Sequence, residues 1–365
     1  MTTNFNVLLQ AIKSNNILAV QRILDKSPEE VNTVGMNGVT PLMTSVISGN
    51  RHITKLLLKK GANVNKRDGD GRTALIISGL YGKIEDASLL LRYGADVDEK
   101  DDDGETALFK AVTEGNTETV KFLLDKRADK EIVNKEGETL IMKALHLNHR
   151  MILRALIVGG ADVNNGGKTG TTPLVKASQQ MNMRAMNLFL MRGAEINKKD
   201  ECGKTALDYS IIQRSEEMMH LLVLKGADVN SSDNMGQTPL MKAIQSGMEE
   251  TVLFLLDHGA HINKADNEGN TPLMIALKEG LLDMAEMLIK KGANPNVSDK
   301  NALTPVDLVA PSKKVWFNMV VKQYGPVPVV NPISFKAATT FSRFSKRRLV
   351  KCASEPNETA RPPNS

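Results

Sequence analysis

Three stretches of this 365-residue chain carry residue types whose spacing could do chemistry. Gly166-Gly-Lys-Thr169 has the ending of a phosphate-cradling loop, in which backbone N–H groups and a lysine hold a nucleotide. That loop needs a further glycine five residues before Gly167, and Asp162 stands there. Glu99-Lys-Asp101-Asp-Asp103-Gly104 opens like a calcium loop, but its twelfth position is Lys110 rather than the bidentate glutamate. His258 and His261 have metal-ligand spacing, with no cysteine cluster to complete a site. Neither a Ser-His-Asp nor a Cys-His set can be assembled. The expectation is a non-enzyme with no catalytic residue, metal or cofactor.

Behind these strings lies a lattice that must position them. Thr recurs at 40, 73, 106, 139, 172, 205, 238, 271 and 304, always 33 residues apart. Gly stands two positions before each Thr until Ala302 breaks the series, and Leu stands two after it, replaced by Ile141 and Val306. Thr is a good helix N-cap, and Pro41, Pro173, Pro239, Pro272 and Pro305 fill the first helical position. A small residue five after Thr, such as Ser45, Ala111 or Ala177, lets neighbouring helices approach. A second apolar stripe, for example Val120, Leu123 and Leu124, predicts a second helix, ended by Gly-Ala as at Gly61-Ala62 and Gly94-Ala95. Each unit therefore reads as turn, helix, turn, helix. The phosphate-loop and calcium-loop lookalikes both fall in phase on the turns.

The pattern resembles the ankyrin repeat family, whose units begin D-x-x-G-x-T-P-L and close with L-L-x-x-G-A-D-V-N. Asp266-Asn-Glu-Gly-Asn-Thr-Pro-Leu273 and Gly292-Ala-Asn-Pro-Asn296 match it nearly throughout. The resemblance implies an all-α solenoid of helix-turn-helix units joined by hairpin-like turns. The family's His after T-P-L is absent; Met43, Ile76, Phe109, Val175, Met241 and Met274 make that region apolar.

The expected organisation is an N-terminal capping repeat over 1–34, eight repeats over 35–298, a C-terminal cap over 299–324 and a basic, disordered tail over 325–365. Trp316 and Phe317 are expected to cover the last apolar face. The middle is less regular. The inter-helix turn glycine of Gly49, Gly82 and Gly115 becomes Asn148, Met181 and Arg214, and Arg127 replaces the Gly of Gly-Ala in one unit. A side chain costs free energy where φ is positive, so the units over 134–232 should be locally looser.

The resemblance also implies where a partner sits: on the hairpin tips and the exposed end of each first helix. By register these positions are Met36, Val39 and Ile47, then Arg67, Asp70, Arg72, Leu80 and Tyr81. The next unit supplies an acidic patch of Asp102, Asp103, Glu105 and Glu114. Tyr and Arg are favoured interface anchors. The reading is a protein–protein interaction scaffold or adaptor whose concave surface grips a protein or peptide, with Tyr81 as anchor and a basic partner segment over the acids.

Charge distribution adds a second reading. Residues 322–365 hold eight Lys/Arg against two Glu, so this +6 tail exceeds the net +5 of the whole chain and leaves the body at −1. Phe341-Ser-Arg-Phe-Ser-Lys-Arg-Arg-Leu349 mixes aromatics with charge, and Lys351-Cys-Ala-Ser-Glu-Pro356 has the form of a basophilic kinase site at Ser354. The alternative is thus a regulatory protein whose tail binds an acidic membrane surface, an import receptor or a phospho-dependent partner. Nucleic acid is disfavoured because the repeats add no net positive field. Two cysteines, Cys202 and Cys352, cannot frame a disulfide fold. With no apolar run near 18 residues and no basic leader, the expected setting is the cytoplasm or nucleus.

Overall fold

In a computed structural model, which describes residues 3–325, the chain folds as ten consecutive helical hairpins with twenty α-helices. It divides into two compact units, Met1–Ser231 and Ser232–Ser365. The first holds seven hairpins. Thr3–Lys13 pairs with Ile17–Lys26, Pro41–Ser48 with Arg51–Lys59, and Ala74–Leu80 with Ile84–Arg92. Ala107–Thr113 pairs with Thr117–Asp125, and Leu140–His146 with Arg150–Val158. Pro173–Gln179 then pairs with Met183–Met191, and Ala206–Ile212 with Glu216–Leu224. The second unit holds Pro239–Gln245 with Glu249–Asp257, Pro272–Lys278 with Leu282–Lys290, and Pro305–Leu308 with Lys314–Tyr324. Among the described residues there is no strand, only an isolated bridge between Val133 and Thr139.

The threonine lattice acts as the spacing predicts. The Oγ1 atoms of Thr40, Thr73, Thr106, Thr139, Thr172, Thr205, Thr238 and Thr271 each accept from the backbone N–H three residues on. Each such cap contributes about 1 kcal/mol. Where the family carries a polar His, Met43 and Met241 turn Sδ back to accept from the N–H of Thr40 and Thr238, both at 3.4 Å. The small residues five after Thr are fully enclosed: Ser45, Ser78, Ala111, Ala144, Ala177, Ser210, Ala243 and Ala276 are buried to the last atom. Packing between first helices is close at Gly79, where an added Cβ would stand 2.2 Å from the carbonyl oxygen of Ala107. Each flanking leucine or isoleucine, such as Leu42, Leu75 and Leu108, is buried and contributes about 1.5–3 kcal/mol.

Two ladders join neighbouring tips. One is backbone: Gly69 N–H donates to Asn37 O at 2.6 Å, Asp102 to Asp70 O, Lys135 to Asp103 O, and Lys168 to Gly137 O. The other uses the side chain eight residues before Thr. Asn65 accepts from Asp96 N–H, Asn164 from Glu195 N–H and Asn197 from Asp228 N–H. Asn263 and Asn294 repeat this contact within the second unit. Those asparagines are turn-bridging groups in the next repeat's backbone network.

Backbone strain lies where the substitutions put it. Arg127, Asn148, Met181, Arg214 and Ala302 take φ of 54–63°, in register with glycines that adopt the same left-handed conformation. Phe317 is buried and sits 6.4 Å from Trp316, in a helix packed on Leu282–Lys290, as expected of a terminal cover. The predicted disordered tail and Ser354 lie outside the described residues, as does Cys352.

Candidate interaction surface

Six of the tips are organised by the Asp five positions before Thr. Asp68 Oδ1 accepts from the N–H groups of Asp70 and Arg72, and Asp101 Oδ1 from those of Asp103 and Glu105. Asp200, Asp233, Asp266 and Asp299 repeat the same pair of bonds. Two bonds from one buried carboxylate fix the loop, so the residues between them project outward. This Asp was visible in the lattice as the first letter of D-x-x-G-x-T.

Its second oxygen recruits a cation. Lys110 places Nζ 2.9 Å from Asp101 Oδ2 and 2.6 Å from Glu105 Oε2. The lysine that spoils the calcium-loop pattern therefore occupies the acidic site with its own ammonium. Burial works against that charge, but the bonds and fields of Glu105 and Asp101 outweigh it and raise the Lys110 pKa. Lys242 Nζ is likewise 3.0 Å from Asp233. At Asp200 the partner is a phenol: Tyr209 Oη donates at 2.6 Å, and burial first, then Asp200, pushes its pKa well up.

Glu105 consequently does not face solvent as register implied. It is buried, drawn inward by Lys110, and also accepts from Asn134 Nδ2 at 3.2 Å. The remaining acids of the patch, Asp102, Asp103 and Glu114, are exposed. Arg67 binds Glu99 at 2.6 Å and Asp102 at 3.1 Å, tying two adjacent tips together. Arg72 binds Asp68 and Asp70, at 2.9 and 2.7 Å, and lies within electrostatic reach of Tyr81. Tyr81 is the C-cap of its helix and is 50% exposed. Leu80 beside it is half-buried, and Asn116 Nδ2 bonds its carbonyl. Met36 stands out at 79% exposure, Ile47 is exposed, and Val39 is half-buried.

The motif lookalikes are absorbed by the fold. Gly167–Thr169 is a single 3-10 turn at a tip, with the Lys168 ammonium 3.4 Å from Lys135 O. His258 Nδ1 is 2.8 Å from the Phe254 carbonyl and its ring stacks on Phe254. Among the described residues, no group of three or more His, Cys, Asp or Glu is placed to hold a metal ion, and no helix is long and apolar enough to cross a membrane.

The chain matches a family model described as ankyrin repeats (three copies) over residues 8–101, 78–166, 148–233 and 224–299. A crystallised ankyrin repeat domain from Acinetobacter baumannii is 28% identical, covering 52% of this chain and 98% of its own, with a TM-score of 0.49. No curated protein matches.

Proposed function

The chain belongs to the ankyrin repeat family, and from that premise we propose that it is a non-catalytic scaffold or adaptor that holds a protein or peptide on the tips and first-helix ends of its early units. Repeats of this family are generally protein–protein interaction modules, but fold alone does not name a partner. One observation carries the finer reading: a half-exposed tyrosine stands in an acidic stretch whose tips are held by hydrogen bonds from Asp68 and Asp101. Residues 67–133 hold sixteen Asp/Glu against ten Lys/Arg. Even after the internal ion pairs, Asp103 and Glu114 remain exposed with no ion pair among the described residues. A basic segment with an apolar side chain fits this surface, the aromatic face of Tyr81 receiving the apolar group and the acids the charge. Met36 and Ile47 extend the apolar contact. The tip pairs of Arg72 make it a support for the surface more than a free contact.

Affinity capture with the full-length chain, a Tyr81→Ala variant and a chain ending at Tyr324 tests the proposal. A partner kept by the shortened chain and lost by Tyr81→Ala supports it. A partner lost with the tail and indifferent to Tyr81 contradicts it and favours the tail reading. Cytoplasm or nucleus remains the proposed setting, supported by the sparse cysteines.

A further inference from the structure

The body's near-zero charge conceals an inversion. Residues 150–194 carry six Lys/Arg and a single acid, Asp162, and follow the acid-rich stretch that ends at 133 after a short balanced segment. The second helices here, Arg150–Val158 and Met183–Met191, contain no acid at all. Arg150, Arg154 and Arg184 are exposed and form no ion pair among the described residues. Arg67 and Arg72, by contrast, are each held by two carboxylates.

Between these two hairpins opens a groove of about 490 Å³, lined by Leu145, His146, Arg150, Met181 and Arg184 among others. No acid lines it. Glu138, just before the N-cap of the helix that carries His146, reaches that His at 3.6 Å but is not among the lining residues. The left-handed residues Asn148 and Met181 form part of its wall, so the irregular turns shape it. Further along the same helices, the position nineteen after Thr is charged in other units, as Lys59, Arg92, Asp125, Asp257 and Lys290. In three consecutive units it is apolar and mostly exposed: Val158, Met191 at 82% and Leu224 at 72%. Single exposed apolar side chains are ordinary; a run of them in register beside unpaired arginines is not.

We infer that this face, which starts from the same first-helix ends as Tyr81 but two and three units further along, docks an acidic protein segment whose carboxylates meet Arg150, Arg154 and Arg184 and whose apolar side chains meet Met181, Val158 and Met191. Charge complementarity selects the occupant: arginines with no carboxylate partner among the described residues favour carboxylates and repel basic chains.

The test is a random-peptide display selection on the full-length chain, run in parallel on Arg150→Glu/Arg184→Glu and on Tyr81→Ala. Acid-rich peptides with apolar residues should be recovered by the wild type and by Tyr81→Ala. The reversed variant should recover about tenfold fewer, because like charges now face each other. A synthesised winner should also bind Met191→Ser more weakly. If the reversed chain melts early by circular dichroism, Arg150→Gln/Arg184→Gln serves in its place. Equal recovery by the Arg variant, no acid-rich class, or arginine-dependent binding only to phosphatidylserine-containing vesicles would overturn the inference. Loss with Tyr81→Ala instead would reassign the peptides to the early surface.

Discussion

Lys110 and Lys176 hold the same place in their repeats, four residues after the capping threonine, yet meet opposite surroundings. Lys110 finds Asp101 and Glu105. Lys176 faces a tip whose acidic position has become Gly167. The early units spend their charges inward, making stiff tips that present a few chosen side chains. Of the middle units, the first keeps one such pair, Lys143 with Glu138 at 3.1 Å, and the next has lost it; both carry side chains where backbone geometry prefers glycine, and both leave arginines outward. One lattice thus yields two surfaces of opposite sign, set by residues that the fold itself does not require.

The largest effect that could break this comparison is a truncation of the two lysines. Lys110→Ala should cost about 3 kcal/mol, because it leaves two buried carboxylates without their cation. Lys176→Ala should cost less than about 0.5 kcal/mol. Denaturant melts of the two variants decide it, and equal losses would erase the distinction between tips.

Next is the binding role of Tyr81. Its removal should weaken partner affinity by about 2 kcal/mol, as for an aromatic anchor, with little change in melting temperature. Titration calorimetry with the captured partner reads this directly.

Backbone strain comes third. Met181→Gly and Arg214→Gly should each stabilise the chain by about 1 kcal/mol, and Gly82→Ala in the equivalent early turn should destabilise it by a similar amount. Amide exchange should then show the middle units losing mobility relative to the early ones.

The smallest effect lies at Asp86, buried in the early stack. Its Oδ1 has no hydrogen-bond partner, and burial raises its pKa despite the Thr54 hydroxyl. With a folded pKa above the unfolded value, the folded state binds the proton more tightly, and stability falls as pH rises through that window. Asp86→Asn should gain about 0.5–1 kcal/mol at neutral pH and lose this pH dependence. An advantage that is constant from pH 4 to 7 would contradict the assignment.

Much of the fold was legible because a 33-residue period repeats each local rule many times. The Thr caps, the enclosed small residues and even the left-handed Asn148, Met181 and Arg214 follow from register alone. The surface was less legible. Register placed Glu105 outside with its neighbours, but a lysine five residues later turned it inward. Such pairing depends on side-chain reach, which spacing does not encode. The charge inversion was hidden by summing the body to −1, and the groove depends on how adjacent hairpins meet rather than on any one repeat.

The central claim is that a partner is held on the early tips and first-helix ends. Site-resolved hydrogen exchange of the full-length chain with its captured partner tests it most directly. Protection concentrated at Met36–Val39, Arg67–Tyr81 and Asp102–Glu114 is the predicted result. Protection confined to the second unit or to residues beyond 325, with those segments unchanged, would contradict it.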